Sequence, residues 1–81
     1  MATQEPLNED VRGTIGRNVR RLRQEAKLTQ DAVSEQCGIY RTYLSRIEHG
    51  TANPSITVVA AIATVLGVRI AQLFIDRKSV V

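Results

Sequence analysis

With Cys37 as its only cysteine, the 81-residue chain can close no disulfide of its own. A disulfide-stapled secreted fold is excluded, and a reducing compartment, the cytoplasm, is the expected setting. A structural metal is served no better. One cysteine and one histidine, His49, fall short of the ligand set that zinc requires. Cys37 therefore reads as plain core packing at a helix end, and His49 as the residue before a glycine stop. No apolar run is long enough to span a bilayer, and the N-terminus lacks the basic start and apolar core of a signal peptide. Missing too are a nucleophile elbow, a phosphate-cradling glycine loop, and paired carboxylates near a histidine. The expectation is a protein without enzymatic activity, cofactor, metal or evident small-molecule ligand.

What is present is modest in size and uneven in charge. Eighty-one residues make one domain. Such a domain buries only about 60–65% of the surface of its unfolded chain, so pairing with a second copy would help it. Hydrophobic residues at 43% and charged ones at 23% describe an ordinary globular chain. The net charge of +3 says little alone. Its distribution says more: from Val11 to Lys27 the basic residues are Arg12, Arg17, Arg20, Arg21, Arg23 and Lys27, against the single acid Glu25. The first ten residues are acidic instead, with Glu5, Glu9 and Asp10.

Hydrophobic periodicity predicts five helices. Residues 1–7 are polar, contain Pro6 and read as a loose arm; 8–76 form the domain, and 77–81 a tail. Asn8 is a candidate N-cap, with Glu9 and Asp10 at the positive end of the first helix. Val11, Ile15, Val19, Leu22 and Ala26 then make one apolar stripe, which Gly13 and Gly16 weaken. Thr29 caps a short second helix that buries Ala32, Val33 and Cys37 and ends at Gly38. A third runs from Tyr40 to about Glu48, with Leu44 and Ile47 inward, and stops at His49-Gly50. After the loop Thr51 to Pro54, Ser55 caps a segment from Ile56 to Leu66. Its β-branched run could suit a strand, but eleven residues is long for one, alanines intervene and Gly67 is a natural stop. It reads as a buried helix. A fifth short helix spans about Ile70 to Ile75. The expected core is Ile15, Val19, Leu22, Ala32, Val33, Leu44, Ile47, Val58, Ile62, Leu66 and Leu73.

Two short helices hinged at Gly38 form a helix-turn-helix pattern, in which the second helix enters the DNA major groove. The run R-x-L-R at Arg20–Arg23 is followed by L-T-Q at Leu28–Gln30, the Gly38 turn and R-I-E-x-G at Arg46–Gly50. N-P-S at Asn53–Ser55 and L-G-V at Leu66–Val68 complete the set, which resembles the lambda repressor and Cro type of DNA-binding domain. Within that family, R-T-Y-L-S at Arg41–Ser45 is most similar to the controller proteins of restriction-modification systems. The resemblance implies an all-α, five-helix domain that binds double-stranded DNA. It implies base contacts by Arg41, Thr42 and Arg46, and base or phosphate contacts by Tyr43 and Ser45. Gln30 is implied at a phosphate, with Tyr40 and Asn53 as further phosphate candidates. Arg23 and Glu48 fall where the family has a structural ion pair.

Chemistry agrees for the readout positions: arginine pairs bidentately with guanine, and threonine can offer a hydroxyl or touch a thymine methyl. Arg17 and Arg21, four apart, are candidates for extra phosphate contact, although basic side chains on a solvated face would look the same. Val59, Ile70, Phe74 and Ile75 offer more apolar surface than one small core absorbs, so they are expected to pair two copies. A two-fold dimer would set its recognition helices about 34 Å apart and call for an inverted repeat. The expected protein is a homodimeric repressor or activator, a controller of its own operon. The rival is an antitoxin-like interaction module docking a partner through Ile75, Val80 and Val81. Against it, R-T-Y-L-S-R supplies charge and hydrogen-bonding groups that such a module does not need.

Overall fold

The computed structural model describes residues 9–76. The expected arm over 1–7, the Asn8 cap and the tail over 77–81 lie outside the described residues. Four α-helices follow one another: α1 (Glu9–Glu25), α2 (Gln30–Cys37), α3 (Arg41–Glu48) and α4 (Ile56–Leu66). The fifth element, η1 (Ile70–Phe74), is present as a 3-10 helix rather than the expected α-helix. Five residues are too few to settle into α-helical bonding. Its first turn is closed by the Gln72 amide on the Arg69 carbonyl, and the Gln72 side chain accepts from the Arg69 amide, both at 2.9 Å.

The helix boundaries follow from local chemistry. Thr29 Oγ1 accepts the Ala32 amide at 3.0 Å and Ser55 Oγ the Val58 amide at 3.2 Å. Each satisfies one of the orphan donors at its helix start. Gly38 and Gly67 close α2 and α4 at φ of 73° and 72°, where a side chain is disfavoured. Tyr40 lies one residue ahead of α3 rather than inside it. The end of α1 departs from expectation. Ala26 is exposed, because Lys27 adopts φ 61° and the Leu28 amide turns back onto the Arg23 carbonyl at 3.0 Å. This is a left-handed helix stop built on lysine, without the glycine that usually announces one.

An aliphatic core fills the space between the helices. Ile15, Val19, Val33, Leu44, Ile47, Ile62 and Leu73 are buried as expected, with Leu22, Val58 and Leu66 packed half-buried against them. Ala32 is also half-buried. Ala52, Val59 and Ala63 join the core unannounced. For Val59 this is a correction. It shares the inward stripe of α4 with Ile62 and Ala63, at steps of three and one, so at 2% exposure it offers nothing to a second copy.

Of the glycines, Gly16 has the least room for a side chain. A Cβ on Gly16 would lie 2.7 Å from the Glu48 carbonyl oxygen and closer still to that of Ile47. The backbone of α1 therefore runs directly against the end of α3. Gly13 is different, since a Cβ there would meet only the flexible end of Arg17, at 3.0 Å. Helix propensity alone would favour alanine at both sites by up to about 1 kcal/mol. Gly16→Ala is expected to lower the urea-unfolding free energy instead, by about 1–3 kcal/mol or more. Gly13→Ala should leave it unchanged or raise it slightly. Equal responses of the two variants would contradict the backbone contact.

Candidate nucleic-acid interface

At the C-terminal end of α3 stands a nearly buried ion pair. Arg23 donates from Nε to Glu48 Oε2 at 2.6 Å and from Nη2 to Oε1 at 3.0 Å, with the side chains only 12% and 2% exposed. Arg23 Nη1 also donates to the Leu28 carbonyl at 3.0 Å. The hydrogen bonds to Glu48 raise the arginine's pKa further, against the lowering effect of burial and with help from the carboxylate charge. The guanidinium is therefore charged at any pH where the fold is studied. Gln30 is drawn in as well, its Nε2 donating to Glu48 Oε1 at 3.1 Å.

This pair fixes which face of α3 looks outward. At about 100° per residue, Arg41, Ser45, Thr42 and Arg46 fall in that order within an arc of about 140°. Leu44 and Ile47 occupy the opposite side and are buried. Arg41, Thr42 and Arg46 are exposed and Ser45 half-exposed, so these four candidate readout residues form one continuous surface. Tyr43 does not belong to it: it is half-buried against the core. Tyr40, 83% exposed, stands at the helix entrance and contributes no side-chain cap. The first amides of α3 thus lack the side-chain acceptor that α2 and α4 possess.

Beside this arc, an open groove at the start of α2 is lined by Arg23, Lys27, Leu28, Thr29, Gln30, Asp31 and Arg41. Gln30 lines this groove at the N-terminus of α2, the end of a helix that favours anions. Lys27 was not foreseen, because only the left-handed turn brings it to the groove. Asp31, in the first turn of α2, is the acid in this lining. Its Oδ1 lies 3.1 Å from Arg41 Nε, across the ten-residue separation that hid the pairing.

Other candidates lie apart. Arg17 and Arg21 are rotated about 120° and 160° around α1 from Arg23. Arg21 Nη2 reaches Asn18 Oδ1 at 3.3 Å, and Asn18 Nδ2 donates to the Leu73 and Ile75 carbonyls at 2.9 Å. That is the η1 side of α1, so neither arginine joins the groove. Asn53 is exposed in the α3–α4 loop. Of the proposed pairing residues, Phe74 and Ile75 are 40% and 48% exposed, while Ile70 is half-buried. Ile56, 63% exposed, is an apolar surface residue that the sequence pattern did not single out. His49 points Nδ1 at the Ser45 carbonyl, 2.7 Å away. Burial pushes the Cys37 thiol up, which keeps it protonated and unreactive near neutrality.

The helix-turn-helix family profile matches residues 19–73. An uncharacterized HTH-type transcriptional regulator of Sinorhizobium fredii is 39% identical over 64 residues, 79% of this chain and 83% of the relative. The control protein C.BamHI of Bacillus amyloliquefaciens is 33% identical over 64 residues, 78% of this chain and 79% of the relative. The chain spans only 42% of the immunity repressor of Bacillus phage phi105, which it matches at 35% identity. Among solved structures, a hypothetical transcription factor from Neisseria superposes with a TM-score of 0.81 at 28% identity. That superposition covers 96% of this chain and 91% of the other.

Two arginine–glutamate pairs among the described residues invite a direct comparison. Removing Glu48 as Glu48→Ala strands a nearly buried guanidinium and should cost about 3–5 kcal/mol in urea unfolding. Glu25→Ala breaks the exposed 3.4 Å pair with Arg21 and should cost under about 1 kcal/mol. Similar losses in both would show that burial of the first pair carries no weight.

Proposed function

The chain belongs to the helix-turn-helix family of transcription regulators, and from that premise we propose that it is a sequence-specific DNA-binding regulator acting as a homodimer on an inverted repeat. The observation that carries this reading is the continuous polar arc of Arg41, Ser45, Thr42 and Arg46, adjoining a groove with Arg23, Lys27 and Gln30. Arg41 and Arg46 supply guanidinium edges for guanine, and Thr42 a hydroxyl and methyl for a neighbouring base. Gln30 uses one amide hydrogen on Glu48, which leaves the second for a backbone phosphate. Lys27 lines the same groove, and Tyr40 at the entrance of α3 and Asn53 in the loop after it are exposed further candidates for phosphate contact.

Phe74 and Ile75, with the half-buried Ile70 beside them, form the proposed pairing edge. The similarity to a control protein favours the regulator of a restriction-modification operon, acting on its own promoter as repressor or activator. Such a protein works in the cytoplasm and catalyses no reaction.

Selection of bound duplexes from a random pool at about 150 mM salt, where unspecific attraction is weakened, is expected to enrich one inverted repeat. Absence of enrichment from folded dimer would favour an interaction module instead. On the enriched site, Arg41→Ala should cost about 1–3 kcal/mol and relax preference at one base position. A uniform loss on all duplexes would make Arg41 a phosphate contact. Phe74→Asp should sediment as a monomer, and a surviving dimer would move the interface elsewhere.

A further inference from the structure

Resting on the reading of Arg41 as a base contact, we propose that Asp31 is its positioning residue, steering the Arg41 guanidinium toward a base and away from the phosphate backbone. Asp31 is the second residue of α2 and Arg41 the first of α3, so the pair bridges the turn between the two helices. Asp31 Oδ1 stands 3.1 Å from Arg41 Nε. A guanidinium has a side edge at Nε and an end edge formed by Nη1 and Nη2. A carboxylate on the side edge leaves the end edge for the O6 and N7 atoms of guanine.

Asp31 also lies in the first turn of α2, where an acid suits the helix dipole, but the pair itself does little for the fold. Its side chains are 56% and 80% exposed, and pairs so exposed add little stability. The Arg23–Glu48 pair already joins this part of the molecule. Asp31 is also the one acid lining a groove that otherwise presents Arg23, Lys27, Gln30 and Arg41. A carboxylate there repels a phosphate and weakens binding to any duplex. Its presence is understandable if it orders the residue that reads sequence. An arginine free to turn would pair with phosphates as readily as with guanine. Held by Asp31, it meets phosphates poorly and a correctly placed guanine well. When DNA covers the pair and excludes water, the restraint strengthens.

The test measures binding of full-length variants to duplexes that differ only at the base position assigned by Arg41→Ala. Asp31→Ala is expected to lower preference at that position roughly fivefold and to raise affinity for a random duplex at low salt. Its thermal midpoint should fall by no more than a few degrees, the loss of a first-turn acid on α2. Asp31→Glu, which keeps the carboxylate of the ion pair, should retain most of the preference, and Asp31→Asn should lose it. Adding Asp31→Ala to Arg41→Ala should change that preference no further. An unchanged preference in Asp31→Ala, or an equal fall in the double variant, overturns the proposal. If Arg41→Ala weakens all duplexes alike, base reading by Arg41 has failed, and the positioning role falls with it.

Discussion

The carboxylate of Glu48 is where the molecule is tied together. It accepts twice from Arg23 on α1 and once from Gln30 at the start of α2, while sitting at the last position of α3. Arg23 in turn holds the Leu28 carbonyl in the turn between α1 and α2. Three helices and a turn thus converge on one side chain that water scarcely reaches. Geometry this close needs a gap in α1, and Gly16 supplies it. Gly16 and Arg23 are seven residues apart, two turns along the same face. The glycine lets the α1 backbone rest on the Ile47 and Glu48 carbonyls, and that contact holds the arginine within bidentate reach.

Fixing α3 from behind explains how so short a helix can present a polar face reliably. Eight residues are too few for an autonomous helix in water. Leu44 and Ile47 are sunk in the core, Glu48 is clasped, and the remaining arc is left to polar side chains. Neither the exposed residues nor an N-terminal side-chain cap is needed to hold the helix. Its entrance and outer face are therefore available for recognition, at no cost to the core.

Most of this was legible where the cause is local. Thr29, Ser55, Gly38 and Gly67 act within a few residues of themselves, and α2 and α4 fall on the expected residues. The β-branched α4 is helical because its apolar residues meet a core, which outweighs their strand preference. Errors arose where the cause was distant or conformationally unusual. Lys27 stops α1 in a left-handed turn that lysine rarely adopts. Val59 looked like surplus apolar surface because composition does not give the phase of α4 against its neighbours. Gly16 looked like a weak point in α1, since the carbonyls that require it come from α3. Within the site, the family resemblance singled out Arg41, Thr42 and Arg46 for bases and Ser45 for a base or a phosphate, and the helical arc gathers them. Tyr43 falls outside that arc because the same arithmetic turns it toward the core. Arg17 and Arg21 share a face, as their spacing implies, but that face looks toward η1. No sequence pattern signals the Asp31–Arg41 contact, because it depends on how α2 meets α3.

The helix that anchors recognition also fixes the apolar edge. Asn18 donates to the carbonyls of Leu73 and Ile75, the residues on either side of Phe74. With Leu73 fully buried beneath, the backbone of η1 is pinned at two points, and Phe74 is directed outward between them. Asn18 and Arg23 are five residues apart, on roughly opposite sides of α1. One helix thus carries the Glu48 clasp near its C-terminal end and, from its middle and roughly opposite side, the edge at Phe74 and Ile75. In the proposed dimer, that connection determines the distance between the two recognition helices. The spacing of an inverted repeat would then be set by α1, which need not touch a base.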